Sequence, residues 1–192
     1  MLVLGAYDGV SALSKLIAMK TRSDKTHVSV IQLPDDVVDR SGQILWHRLQ
    51  SSLNTCPVWE AWGSLFKPSL NRVHKRVGIH DGHTPGTMIH LLRVDPAFGI
   101  RLNEATAVAF LDSRVGTKYD WLGLHRWNVN SPKGDDSRLF CSEYGFLAFI
   151  AYGAPLLART RAEAVSPADL YRSSILTELI STRTKGEKGD SK

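Results

Sequence analysis

Residues 140–152 read FCSEYGFLAFIAY. Almost every position is apolar, so a helix over this stretch has no face to give to water and must be enclosed by the rest of the chain. Directly before it, GTKYDWLGLHRWNVNSPKGDDSR (116–138) is rich in glycine, acid and serine and reads as a loop. Cys141 stands where that loop passes into the helix. There it feels the positive end of the helix dipole and backbone N–H groups without helical partners, which favour a thiolate and can hold a developing oxyanion. A buried structural cysteine is the competing reading.

Toward the N-terminus, the short apolar run MLVLGA (1–6) predicts a buried strand. Val10, Leu13, Leu16 and Ile17 recur at helical spacing, and TRSDKT (21–26) breaks the pattern. HVSVIQL (27–33) predicts a second strand. Pro34 to Pro57 reads as a polar connection with a helix around Ile44, Leu45 and Leu49. VWEAWG (58–63) predicts a strand with Val58, Glu60 and Trp62 on one face and Trp59 and Ala61 on the other. A further strand, Thr87 to Val94, follows the turn-rich HDGHTPG (80–86). Asn103 to Arg114 fits a helix capped by Asn103, with Ala105, Val108, Ala109 and Leu111 inward. Ser166-Pro167-Ala168-Asp169 is a helix start, with serine as N-cap, proline in the first turn and an acid at the positive end. The pattern predicts one α+β domain over 1–181 and a disordered basic tail over 182–192.

Composition narrows the classes. The chain has 192 residues, 43% hydrophobic and 22% charged, which suits one domain and excludes collagen, coiled coil and disorder. No apolar run approaches the roughly 20 residues of a membrane span, and the first residues lack a secretory signal. A soluble protein without stable membrane insertion, cytoplasmic or phage-associated, is therefore expected. Two cysteines, Cys56 and Cys141, can form neither a disulfide framework nor a four-cysteine zinc site. The formal charge of +5 has no RNA-binding or helix-turn-helix signature beside it, so no nucleic-acid partner is expected.

A thiolate nucleophile needs a base within reach, and the base needs an orienting partner. Of seven histidines, His27 opens a strand directly after a polar turn, so its ring can sit at the sheet edge. Glu60 is a lone carboxylate between two tryptophans in an apolar strand, costly to bury unless paired. A surface histidine and a water-facing glutamate are the alternatives. His74, His80, Asp81, His83 and His90 cluster in the sequence and could bind zinc, but their spacing fits no zinc pattern, and Asp81-Gly82 reads as the turn of a hairpin. Neither metal nor cofactor is expected. There is no phosphate-cradling glycine loop and no G-x-S-x-G elbow.

Taken in order, His27 in SDKTHVSV, Glu60 in VWEAWG, the strand MIHLLRV, GTKYDWLGL, FCSEYGFLAF and SPADLYRS resemble the permuted papain-like amidases. That group includes the YiiX-like proteins and is related to the NlpC-type cell-wall peptidases and the lecithin–retinol acyltransferases. The resemblance runs from about Gly5 to Ser173. It implies papain-like packing, an antiparallel sheet against the helix that bears the nucleophile, with the histidine before the cysteine in the chain. It implies Cys141 as nucleophile, His27 as general base, Glu60 as the group orienting the imidazole, and Tyr119 bordering the oxyanion site. Cys56 matches no motif position. The implied substrate is a peptide or peptidoglycan-type amide, cleaved through a thioester. A lipid acyltransferase or thioesterase is the alternative, with Trp59, Trp62, Trp121 and Trp127 available to an apolar cleft. A catalytically retired binding module and a metal-binding protein are the others. Two features depart from the family pattern. Residues 34–55 form an insertion that could cover the cleft, and the histidine-rich hairpin of 74–90 has no counterpart.

Overall fold

The computed structural model describes residues 1–39, 41–64, 67–80, 82–121 and 137–184. Strands β1 (Leu2–Asp8), β2 (His27–Gln32), β3 (Pro57–Trp62), β4 (Arg72–Val77), β5 (Met88–Val94), β6 (Lys118–Tyr119), β7 (Arg138–Leu139) and β8 (Leu176–Arg183) form one sheet. Its order is β7-β6-β4-β3-β2-β1-β5-β8. Every pairing is antiparallel except that of β6 with β7. Helices α1 (Ala12–Thr21), α2 (Trp46–Ser52), α3 (Glu104–Ser113), α4 (Cys141–Tyr152) and α5 (Pro167–Tyr171) complete an α+β architecture. No helix among the described residues is long and apolar enough to cross a membrane.

Alternation along the strands gives the sheet two cores. Leu2, Leu4, Ala6, Val28, Val30, Trp59 and Ala61 pack with Phe146, Phe149 and Tyr152 of α4 and with Ala107 and Leu111 of α3. Val3, Tyr7, Ile31, Val58, Ile89 and Leu91 point the other way, onto Val37, Leu49, Leu53 and Cys56. α4 is thus enclosed, as its all-round apolar sequence requires. Gly145 lets its backbone approach the sheet, with Val28 and Leu4 at ordinary contact distance from where a Cβ would lie.

Several expectations change. The insertion at 34–55 does not cover the cleft; it supplies α2 and a short 3-10 turn at Asp35–Val37 that close the second core. Burying Val37 and Leu49 requires an apolar face, and that face of the sheet provides it. The histidine-rich stretch is not a hairpin, because β4 pairs with β3 and β6 while β5 pairs with β1 and β8. The 78–87 connection therefore crosses from one part of the sheet to another. β4 itself escapes the sequence pattern because RVHKRV buries only Val73 among its six residues. In α3 the inward stripe is Ala107 and Leu111, with Val108 half-buried and Ala105 and Ala109 exposed. Within the expected tail from 182 onward, Thr182 and Arg183 extend β8 and pair with Ile89 and Met88. Residues 185–192 lie outside the described ones.

Candidate active site

β2 and β3 pair through Val30↔Trp59 and Ile31↔Val58. Continuing that register puts His27 one diagonal step from Glu60, on the face shared with Val58 and Trp62. His27 Nε2 lies 2.8 Å from Glu60 Oε2. Glu60 is 1% exposed, so it is not a water-facing edge residue. Its other oxygen, Oε1, accepts from Arg76 Nε at 2.5 Å. Arg76 stands on β4 opposite Val58 and therefore on the same face. Its guanidinium also donates to the carbonyl of Gly78 and, at 2.9 Å, to His83 Nε2.

Cys141 opens α4 and is 2% exposed. The N-cap, Phe140, has no side chain able to cap the helix, and Glu143 of the first turn accepts from the Phe140 N–H at 3.3 Å. The Cys141 side chain lies near enough to the His27 ring to help raise its pKa. With Nε2 committed to Glu60, Nδ1 is the ring nitrogen left for the thiol. Tyr119 is 4% exposed and packs with Phe140 at 5.3 Å between ring centroids. Gly63 makes room for it: a Cβ there would lie 2.5 Å from Tyr119 Cε1.

The charges are mutually dependent. Burial works against an imidazolium at His27, but the neighbouring Cys141 side chain and the hydrogen-bonded Glu60 carboxylate raise its pKa from 6.5 to about 9. Burial would also raise Glu60; the His27 hydrogen bond and the Arg76 charge prevail and hold its carboxyl well below the usual range. His83 goes the other way. Burial pushes it down to about 3, with His27 and Arg76 reinforcing the shift and Glu60 opposing it. Geometry agrees, since Nε2 of His83 already accepts from Arg76. Two histidines with ring centroids 5.7 Å apart are thereby set to opposite charge states.

A cavity of about 200 Å³ opens beside this group. Its aromatic wall is Tyr7, Trp62, His83 and Tyr119, and its hydroxyl-bearing rim includes Ser11, Ser14, Ser64 and Thr84. Among the described residues that line it, none is Lys, Arg, Asp or Glu. His27 and Tyr119 reach the wall, whereas Cys141 lies behind it in the main core.

His27, Glu60, Cys141 and Tyr119 are brought together, and Cys56 is remote, in the second core. Arg76 and the part played by His83 were not foreseen. The available signal was the rule that a buried carboxylate needs a counter-charge, with 72, 74 and 76 of β4 sharing one face. The other clustered histidines disperse: His74 bonds the Leu70 carbonyl, and His90 sits with Asp8 and Glu178. Asp81 lies outside the described residues. Of the tryptophans, Trp59 is core, Trp62 lines the cavity, Trp121 packs on Tyr119, and Trp127 lies outside the described residues.

No family model and no curated protein matches the sequence. A solved structure does, that of the metalloprotein YiiX from Escherichia coli O157:H7. The TM-score is 0.56 at 16% identity, over 94% of this chain and 96% of that one. The chain has the YiiX fold. The word metalloprotein belongs to that neighbour. Among the described residues here, no group of three or more His, Cys, Asp or Glu is placed to hold a metal. At the site itself the Arg76 guanidinium takes Glu60 Oε1 and His83 Nε2, the atoms a cation would need. The side chains present do not fit a metal centre.

Proposed function

We propose that this protein is a cysteine-dependent hydrolase that cleaves amide bonds by acyl transfer, in a permuted papain-like arrangement with His27 and Glu60 ahead of Cys141. The supporting observation is the line His27–Glu60–Arg76, in which each member is bonded to the next, with Cys141 beside His27 at the start of α4. With the thiol proton held on His27, the Cys141 thiolate adds to the carbonyl carbon. Backbone N–H groups at the start of α4, with Tyr119 beside them, receive the oxyanion. As the C–N bond breaks, His27 Nδ1 returns its proton to the departing amine, leaving a Cys141 thioester. His27 then takes a proton from water, the hydroxide displaces the thiolate, and a carboxylic acid leaves. Glu60 fixes the ring and balances the imidazolium. The chemistry calls for no cofactor.

The substrate in this reading is a peptide or peptidoglycan-like amide. The cavity favours a second reading for the acyl group. The described walls, with no Lys, Arg, Asp or Glu among them, suit an uncharged acyl chain, as in a thioesterase or lipid acyltransferase. Parallel assays on muropeptides and on acyl esters separate the two.

The experiment that tests the chemistry is alkylation of Cys141 by iodoacetamide across pH, read by mass spectrometry, with His27→Ala beside the native protein. Fast labelling well below pH 8, lost or shifted in the variant, is the expected result. Labelling only near the free-thiol range of about 8.5, indifferent to His27→Ala, would leave a binding module instead.

A further inference from the structure

α1 presents two unlike sides. Its N-cap Ser11, Leu13, Ser14 and Ile17 line the cavity, and Ile17 is buried. The apolar spacing that predicts this helix would bury Leu16 and Val10 as well. Instead Leu16 is 51% exposed, Val10 45%, and Met19, on the same face as Leu16, 76%. On the helical wheel Lys15 and Lys20 flank the Leu16–Met19 pair, and Arg22 follows at the C-cap. No acidic residue occurs from Gly9 to Ser23. The nearest two, Asp8 and Asp24, are both paired with Lys25.

We infer that this outer face of α1 docks on an anionic lipid membrane and so holds a helix of the cavity wall at the bilayer surface. Apolar side chains at the centre of a strip with cations on both flanks match an interfacial helix: Leu16 and Met19 enter the acyl boundary while lysine and arginine heads meet phosphate groups. Ten residues are too few to cross the bilayer, so α1 lies in its plane. A second copy of the chain fits less well. Stable protein interfaces cover about 800 Å² per partner, more than three side chains provide. Face-to-face pairing on this strip would also crowd Lys15, Lys20 and Arg22 against their own copies. The inference does not depend on the cysteine chemistry.

Co-sedimentation of the full chain with vesicles tests it, comparing phosphatidylcholine alone with an equimolar mixture of phosphatidylcholine and phosphatidylglycerol. Binding is expected only to the anionic vesicles and is lost in high salt. Lys15→Glu with Lys20→Glu should weaken it by at least about tenfold, and Leu16→Ser with Met19→Ser several-fold. Lys15, Leu16 and Met19 are exposed and Lys20 is half-buried, none of them in the core, so both variants should keep the native circular dichroism. Absence of binding to anionic vesicles, or binding unchanged in both variants, overturns the inference. So does a solution dimer abolished by Met19→Ser, which would assign the face to a second copy.

Discussion

Arg76 and His27 divide the Glu60 carboxylate between them, one on each oxygen. The arrangement makes a fully buried acid the hinge of the site, since it is held by one permanent cation and one that titrates. Arg76→Ala would leave Glu60 buried with only His27 bonded to it and His83 Nε2 3.7 Å away. Loss of one partner from a buried pair costs about 3–5 kcal/mol, and a fall in unfolding free energy of that order is expected from urea titration. Arg76→Lys should recover only part of it, because an ammonium cannot serve Glu60, Gly78 and His83 from one plane. Combining Arg76→Met with Glu60→Gln should cost less than the sum of the single changes. Additivity would mean that the two side chains are not coupled.

The opposite charge states of the two histidines set the pH range of stability. His27 has a folded-state pKa raised from 6.5 to about 9, so its contribution is complete below 6.5 and disappears as pH rises through 9. His83 has one lowered from 6.5 to about 3, so it costs nothing above 6.5 and destabilises increasingly as pH falls toward 3. Glu60, held low, adds a loss on the acid side. Stability should therefore peak near pH 6.5. Urea midpoints measured across pH should show the alkaline limb flattened in His27→Ala and the acid limb reduced in His83→Phe. A wild-type curve still rising at pH 9 would contradict the assigned charge states.

Gly63 tests whether Tyr119 contributes to the chemistry or only to packing. Gly63→Ala puts a methyl 2.5 Å from Cε1 of Tyr119, and the ring must shift. Overpacking of this kind costs about 1–3 kcal/mol. If Tyr119 borders the oxyanion, kcat on whichever acyl substrate the screen identifies should fall while Cys141 alkylation stays fast. Equal loss of both would point to collapse of the Cys141–His27 contact instead.

What could be read from the sequence follows the strength of the local signal. α4 was legible because an all-apolar helix has one possible environment, and β1, β2, β3 and β5 because their runs are apolar or alternate. Glu60 and His27 were legible as a pair because a charge among tryptophans demands a partner. The destination of the 34–55 insertion was not, since Val37 and Leu49 say that they are buried but not against which face. Nor was the separation of β4 from β5, because strand order is decided by long-range pairing that leaves no trace in 78–87. The anchoring of Glu60 by Arg76 depends on both the existence and the register of β4, so it came with the structure. The exposed side of α1 misled for a related reason: helical spacing marks apolar positions without telling whether protein or another medium covers them.

The two cysteines provide an internal control for reactivity. Cys56 is 3% exposed and Cys141 2%, so steric access does not distinguish them. Their environments do. Burial pushes the Cys56 thiol up to about 11, with its side chain directed at the Leu53 carbonyl. Cys141 instead sits at the start of a helix, beside an imidazole whose pKa is raised to about 9. A small alkylating reagent at pH 7.5 should thus modify Cys141 and spare Cys56, as peptide mapping would show. Glu60→Gln removes the charge that sustains the imidazolium and should slow Cys141 labelling by about tenfold, leaving Cys56 as it was. Cys56→Ser should change neither the rate at Cys141 nor any hydrolytic activity. Equal labelling of both thiols would mean that local opening, rather than the histidine, governs their reaction.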